Sequence, residues 1–148
     1  MIAYPELAAI RLGYGLSPLM AAPVDPAQVL ASVAGAGPDA DAISVASISA
    51  MQRDLVRLRR RAKAGDRKAR AQADDIGALS DRMIALAQRR EMARALDAPA
   101  GFGERLVRFW SDHFTVRGGN SERRLLGVSL VDEAIRPHLG GSFADMMF

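Results

Sequence analysis

The residues with the most chemical reach lie in the last third of the chain. His113 and His138 are its two histidines, and Trp110, its one tryptophan, falls three places before the first of them. Cysteine is absent, so thiolate nucleophiles and disulfides are excluded, and any metal has to sit on His, Asp or Glu. The sharpest chemistry these residue types offer is a metal ligand set or general base made from His113 and His138 with Asp112, Asp132 or Glu133. The spacing fits no His-x-x-x-His ligand pattern. Asp112, one residue before His113, points about 100° away on a helix and cannot be its partner there. Leu106, Phe109, Trp110 and His113 recur at i, i+3, i+4 and i+7, one helical face. The plainer expectation is therefore a structural imidazole turned toward apolar neighbours and tied to a nearby carbonyl or carboxylate.

Arg136 stands between an apolar run and Pro137. A guanidinium there is expected to clamp helix-terminal carbonyls or a carboxylate such as Asp145, with an anion site for a substrate as the sharper alternative. Gly13-Tyr14-Gly15 and Gly118-Gly119 follow no strand and lack the Lys-Ser/Thr of a phosphate loop. No motif calls for a cofactor.

The net charge of +3 hides an uneven distribution. Between Arg53 and Arg70 nine basic residues (Arg53, Arg57, Arg59, Arg60, Arg61, Lys63, Arg67, Lys68, Arg70) face only Asp54 and Asp66, so the remainder of the chain is net acidic. Arg57, Arg60, Arg61 and Lys68 are the residues expected to meet an anion or partner. The block attracts acidic protein, nucleic acid or anionic membrane. It contains no aromatic residue for base stacking and no reading motif, so a solvated charged tip or a surface docking on an acidic protein partner is favoured over specific nucleic-acid binding.

The elements that must position these groups are helices. A composition 49% hydrophobic but only 5% aromatic suits a core of Ala, Leu, Ile, Val and Met in close-packed helices, and 148 residues suffice for one domain. Two short helices are predicted first, over 5–12 and 27–34, the second capped by Asp25 with Pro26 in its first turn. From 43 to 96 breakers are nearly absent, and a heptad-like seam runs through Ile48, Met51, Leu55, Leu58, Ala62, Gly65, Ala69, Gln72, Ile76, Leu79, Met83 and Leu86.

If the chain folds back at Gly65-Asp66, this seam faces itself in antiparallel order: Leu58 meets Gln72, Leu55 meets Ile76, Met51 meets Leu79 and Ile48 meets Met83. The near symmetry about the turn favours an antiparallel helical hairpin. The alternative is one unbroken helix of roughly 50 residues, about 75 Å long, whose stripe would need a second chain. A helix over 102–115 carries the Trp and His, and another, capped by Ser121, runs from 122 to about 135. A last segment, 142–148, starts like a helix and ends on Met-Met-Phe. An all-α fold follows.

The N-terminus shows no basic leader before an apolar run, and no apolar stretch reaches the roughly 18 residues of a membrane span. A cytoplasmic protein is the expectation. The short closing segment suggests the N-terminal part of a longer protein, with apolar surface exposed where the continuation docks or where copies associate.

Taken together, these residues resemble the start of a large bacterial family known as domain of unknown function 1800. Ala9-Ile10-Arg11-Leu12-Gly13-Tyr14-Gly15-Leu16-Ser17-Pro18 is similar to its opening arginine, glycine, aromatic, glycine pattern. Glu104 to Phe114 resembles its Trp-x-x-His-Phe helix, and Ile135-Arg136-Pro137-His138 with Gly141-Ser142-Phe143-Ala144-Asp145 resembles its Arg-Pro-His turn and following Gly-x-Phe segment. Ser111-Asp112 stands where the family usually has Asn before the His, and the family's later Asn-Glu-Asn segment is absent. The resemblance implies no established activity and a longer whole protein. Many relatives carry export signals; this chain resembles the subset that starts directly at the domain.

Three functions remain in view. One is a non-catalytic helical interaction module, with its missing remainder, a second copy or an acidic protein as partner. Another is part of a metal- or His-dependent enzyme built on His113 and His138. The third is nucleic-acid binding through the basic tip.

Overall fold

A computed structural model describes residues 2–147. Among them are six α-helices and no strand: α1 (Tyr4–Arg11), α2 (Pro26–Gly35), α3 (Val45–Lys63), α4 (Arg67–Asp97), α5 (Phe102–His113) and α6 (Ser121–Leu130). A single π-helical turn, Val131–Ile135, and a 3-10 turn, Arg136–His138, prolong α6, and a second 3-10 turn spans Ala144–Met146. The chain is all-α.

Local chemistry accounts for the helix starts. Asp25 accepts from the Gln28 N–H at 2.8 Å to open α2, and Ser44 accepts from the Ser47 N–H at 3.1 Å to open α3. At the far end of α3 the chain reverses. Asp66 N–H donates to the Arg61 carbonyl at 3.1 Å and Gly65 N–H to the Ala62 carbonyl at 3.0 Å, the paired closing bonds of a Schellman turn. Gly65 takes φ +95°, a left-handed conformation that a side chain disfavours. One residue later the Asp66 carboxylate accepts from Ala69 N–H at 2.9 Å and starts α4.

The two arms pack in antiparallel order, with Ala69, Ile76 and Met83 in the expected seam on α4 but Ala73, Ser80 and Ile84 in place of Gln72, Leu79 and Leu86. Ala69, Ala73, Ser80 and Ile84 are its buried positions, while Gln72, Leu79 and Leu86 face solvent. Leu55 and Leu58 therefore pack on Ala69, Ala73 and Ile76. Met51 meets Ser80 rather than Leu79, the hydroxyl lying 3.9 Å from its sulfur. Small side chains win these places because helix axes at close range leave little room, and Ser80 returns its hydroxyl to the Ile76 carbonyl at 2.9 Å, which removes the cost of burying it. Nearer the body Ile48, Ile84 and Leu125, flanked by Met51, Met83 and Leu126, lock the hairpin against α6.

A third core holds Ala36, Val107, Ile135 and Leu139, with Trp110 and Phe114 packed against it. Here α2 crosses α5 at Gly103, whose N–H donates to Ser32 Oγ at 3.0 Å. A Cβ on Gly103 would stand 2.2 Å from the Ser32 carbonyl oxygen, so only glycine permits this crossing.

Three boundaries differ from the sequence reading. Asn120, not Ser121, caps α6, accepting from Arg123 N–H at 3.0 Å, while the Ser121 hydroxyl turns to Asp81. The helix expected to reach residue 135 stays α-helical only to Leu130; it widens into the π turn and then tightens, because Pro137 has no N–H to give the carbonyl four residues back. Ser142 begins no α-helix: Asp145 folds back to accept from its N–H at 2.7 Å and its hydroxyl at 2.9 Å, leaving one 3-10 turn. Phe148, the last residue of that expected segment, and Met1 lie outside the described residues.

Candidate functional site

A buried ion network joins the elements at the base of the hairpin. Glu104 in the first turn of α5 and Arg136 have side chains only 6% and 5% exposed and meet through two bonds, Nη1 to Oε1 at 2.9 Å and Nη2 to Oε2 at 3.0 Å. Arg136 Nη1 also donates to the Ala36 carbonyl at 2.8 Å, closing the end of α2. From α4, Arg94 reaches Glu104 Oε1 at 3.2 Å and pairs with Asp39; one turn earlier Arg90 pairs with Asp41. Burial works against the Arg94 charge, yet its hydrogen bonds to Asp39 and Glu104 outweigh that and hold its pKa above the ordinary arginine value.

Arg136 is thus the expected clamp, but on a different carboxylate. Asp145 is occupied with Ser142, whose N–H and hydroxyl hold its pKa below the usual range. The sequence reading passes over Glu104, because only the structure shows which side of α5 is buried: Glu104 shares the Gly103-Glu104-Val107 stripe and so demands a cation.

Beside the network lies a cleft of about 370 Å3 between α4, α5 and α6. Met83, Ile84, Val107, Phe114, Val128 and Val131 contribute apolar wall, and Asp132 and Arg136 reach it from the π and 3-10 turns. The Asp132 side chain is 17% exposed, and its closest cation, Arg136 Nε, lies at 3.6 Å, beyond hydrogen-bond range. Asp132 forms no hydrogen bond among the described residues. Burial pushes its pKa up and Asp39 adds to the rise, against the pull of Arg136, Arg94 and Arg90.

The histidines do not converge on this cleft. His113 is exposed and makes no hydrogen bond among the described residues, so its neighbours are apolar as expected but the expected tie to a carbonyl or carboxylate is missing. Its ring lies edge-on to Trp110 at 5.7 Å and to Phe114 at 5.1 Å, and stacks with Phe109 at 6.3 Å. Phe143 adds a fourth neighbour to Trp110 at 5.5 Å. The stripe is an aromatic face, with Phe109 57% and Phe143 52% exposed, because the core takes the Gly103-Glu104-Val107 side of α5 instead. His138 sits half-buried in the Arg-Pro-His turn, its carbonyl accepting from Gly141 N–H at 2.9 Å. Among the described residues no three His, Asp or Glu side chains come together as metal ligands.

At the hairpin tip the four candidate cations divide. Arg57 pairs with Asp54 at 3.0 Å and Arg61 with Asp66 at 2.6 Å, whereas Arg60 and Lys68 have no carboxylate partner among the described residues. Arg59 turns back to Glu122 at 3.0 Å, and Gln52 Nε2 donates to the Glu122 carbonyl at 3.2 Å, so α3 is stitched to α6 by polar contacts as well. Glu122 is 3% exposed, and its second carboxylate oxygen is buried without a partner. No described helix is long and apolar enough to cross a membrane.

The architecture is that of an all-α protein in which a long hairpin springs from a small helical body sealed by a buried ion pair. The chain belongs to the family described as protein of unknown function (DUF1800), whose model matches residues 8–148. No curated protein and no solved structure matches it.

Proposed function

We propose that the protein is a helical interaction module whose hairpin carries a basic tip out to an acidic surface of a partner protein. The observation that carries this reading is a group of six exposed cations, Arg53, Arg60, Lys63, Arg67, Lys68 and Arg70, without carboxylate partners among the described residues. Cations held so close together repel one another, and a surface of opposite charge relieves that repulsion while steering the encounter. The body supports the arm: the Glu104, Arg136 and Arg94 network and the α6 contacts fix its base. Aromatic side chains are absent from 53–70, which favours acidic protein over single-stranded nucleic acid, where stacking supplies much of the affinity.

The test is fluorescence anisotropy of the full chain with a labelled oligoglutamate peptide and with single-stranded DNA of matched charge. Oligoglutamate binding at low salt, weakening as salt rises, is expected. Replacing Arg60, Lys63, Arg67 and Lys68 together by Glu should weaken it by about tenfold or more. Failure to bind oligoglutamate at low salt sinks the proposal, and tighter binding to the DNA replaces it with a nucleic-acid role.

A further inference from the structure

The unpaired cations of α3 are not scattered around the helix. At about 3.6 residues per turn, Arg53, Val56, Arg60 and Lys63 fall within about 80° of one another and form a stripe about 15 Å long. All four are exposed, Val56 by 52%, on the side away from the buried Leu55 and Leu58. The arginines that have partners lie off this stripe: Arg57 with Asp54 and Arg61 with Asp66 on one flank, Arg59 with Glu122 on the other. Arg53, Arg60 and Lys63 have no carboxylate partner among the described residues, and they surround a branched apolar side chain left half open to solvent.

We infer, building on the acidic-partner function proposed above, that the partner presents an α-helix lying antiparallel along this face of α3. Its carboxylates stand opposite Arg53, Arg60 and Lys63, and an apolar side chain rests on Val56. Steps of three and four residues are the repeat by which one helix meets another along a seam. Charge complementarity sets the chemistry of the occupant: carboxylates relieve the repulsion among three adjacent cations, while the Arg and Lys stems cover the apolar contact. Orientation follows from the helix dipoles. An antiparallel partner brings its N-terminus to the C-terminal end of α3, where Lys63 lies, so the dipoles oppose and the leading carboxylates also stabilise the start of their own helix. The pattern required is Glu-x-x-Glu-x-x-x-Leu-x-x-Glu, which meets Lys63, Arg60, Val56 and Arg53 in turn.

The test is fluorescence anisotropy of the full chain at low salt with oligoglutamate and two peptides of equal composition, both held helical by lactam bridges. One peptide carries that pattern; the other has the same glutamates and leucine redistributed around the helix. The patterned peptide should bind at least about tenfold tighter than the redistributed one, the scale of three exposed ion pairs and one apolar contact. Arg53→Glu should weaken the patterned peptide about tenfold, whereas Arg70→Glu, an equal change of charge on α4 away from the stripe, should weaken it less than about threefold. Val56→Ser should weaken the patterned peptide about threefold and leave oligoglutamate binding unchanged. All three positions are exposed, so the variants keep the fold. Equal binding of the two helical peptides, equal effects of Arg53→Glu and Arg70→Glu, or no effect of Val56→Ser overturns the inference while oligoglutamate binding keeps the acidic-partner function standing. Absence of oligoglutamate binding sinks both.

Discussion

Glu104 holds the most consequential charge in the molecule. Two guanidinium groups share one carboxylate that water hardly reaches, and a buried ion whose partner is removed keeps its desolvation cost without compensation. Glu104→Ala is therefore expected to destabilise the fold by about 3–5 kcal/mol, read from the urea midpoint, with Glu104→Gln milder because it preserves the shape. Asp132 has the opposite sign. Its folded-state pKa is raised above the ordinary aspartate value of 3.8, so ionising it disfavours the fold; that penalty is absent below 3.8 and complete once the pH exceeds the folded value. Asp132→Asn should melt higher than the parent near neutral pH, and the difference should close as the pH is lowered toward 3.8. Thermal melts of both proteins across that range check this, and a constant difference would refute it. Composition alone hides both residues, since nothing in the sequence distinguishes Glu104 from a solvated helix-start acid until the buried side of α5 is known.

At the scale of elements the hairpin turn was legible and the stripe behind it only in part. Gly65 followed by Asp66 combines a residue that accepts positive φ with one that caps the next helix, and both are used in those roles. The expected α4 seam holds at Ala69, Ile76 and Met83, but where hydrophobicity placed Leu79 the close packing of the helices selects Ser80, and Ala73 takes the place of Gln72. Two glycines should respond in opposite directions. Gly65→Ala forces a side chain into the left-handed region and should cost about 1–2 kcal/mol. Gly77→Ala, in the middle of α4 with open space around its Cβ position, should gain about 0.5–1 kcal/mol. Chemical denaturation of the pair measures both. The cap itself should be acid-sensitive: the Ala69 N–H and then Arg61 lower the Asp66 pKa, so its support is present above 3.8 and fades as the pH falls through the lower folded value. Asp66→Ala should remove that acid-dependent loss of helicity, as followed by circular dichroism.

Across the whole molecule, the all-α class could be read from composition and periodicity, while the use of the aromatic residues could not. A stripe of Leu106, Phe109, Trp110 and His113 reads as core by spacing, yet only Leu106 and Trp110 pack on it, because the glycine crossing of α2 and α5 turns Gly103, Glu104 and Val107 inward and leaves Phe109 and His113 exposed. That crossing has a structural corollary. Ser32 and Gly103 touch although 71 positions separate them, and the whole hairpin lies within that excursion and returns beside its starting point. The outer half of the arm is sealed by Leu55, Leu58, Ala69, Ala73 and Ile76, with Arg59 bonded back to Glu122 of α6. Such a limb is a spacer of adjustable reach. Removing or adding matched turns between the Arg59–Glu122 bond and the bend would shift where the charged end arrives by about 5 Å per turn while leaving the body's own contacts in place.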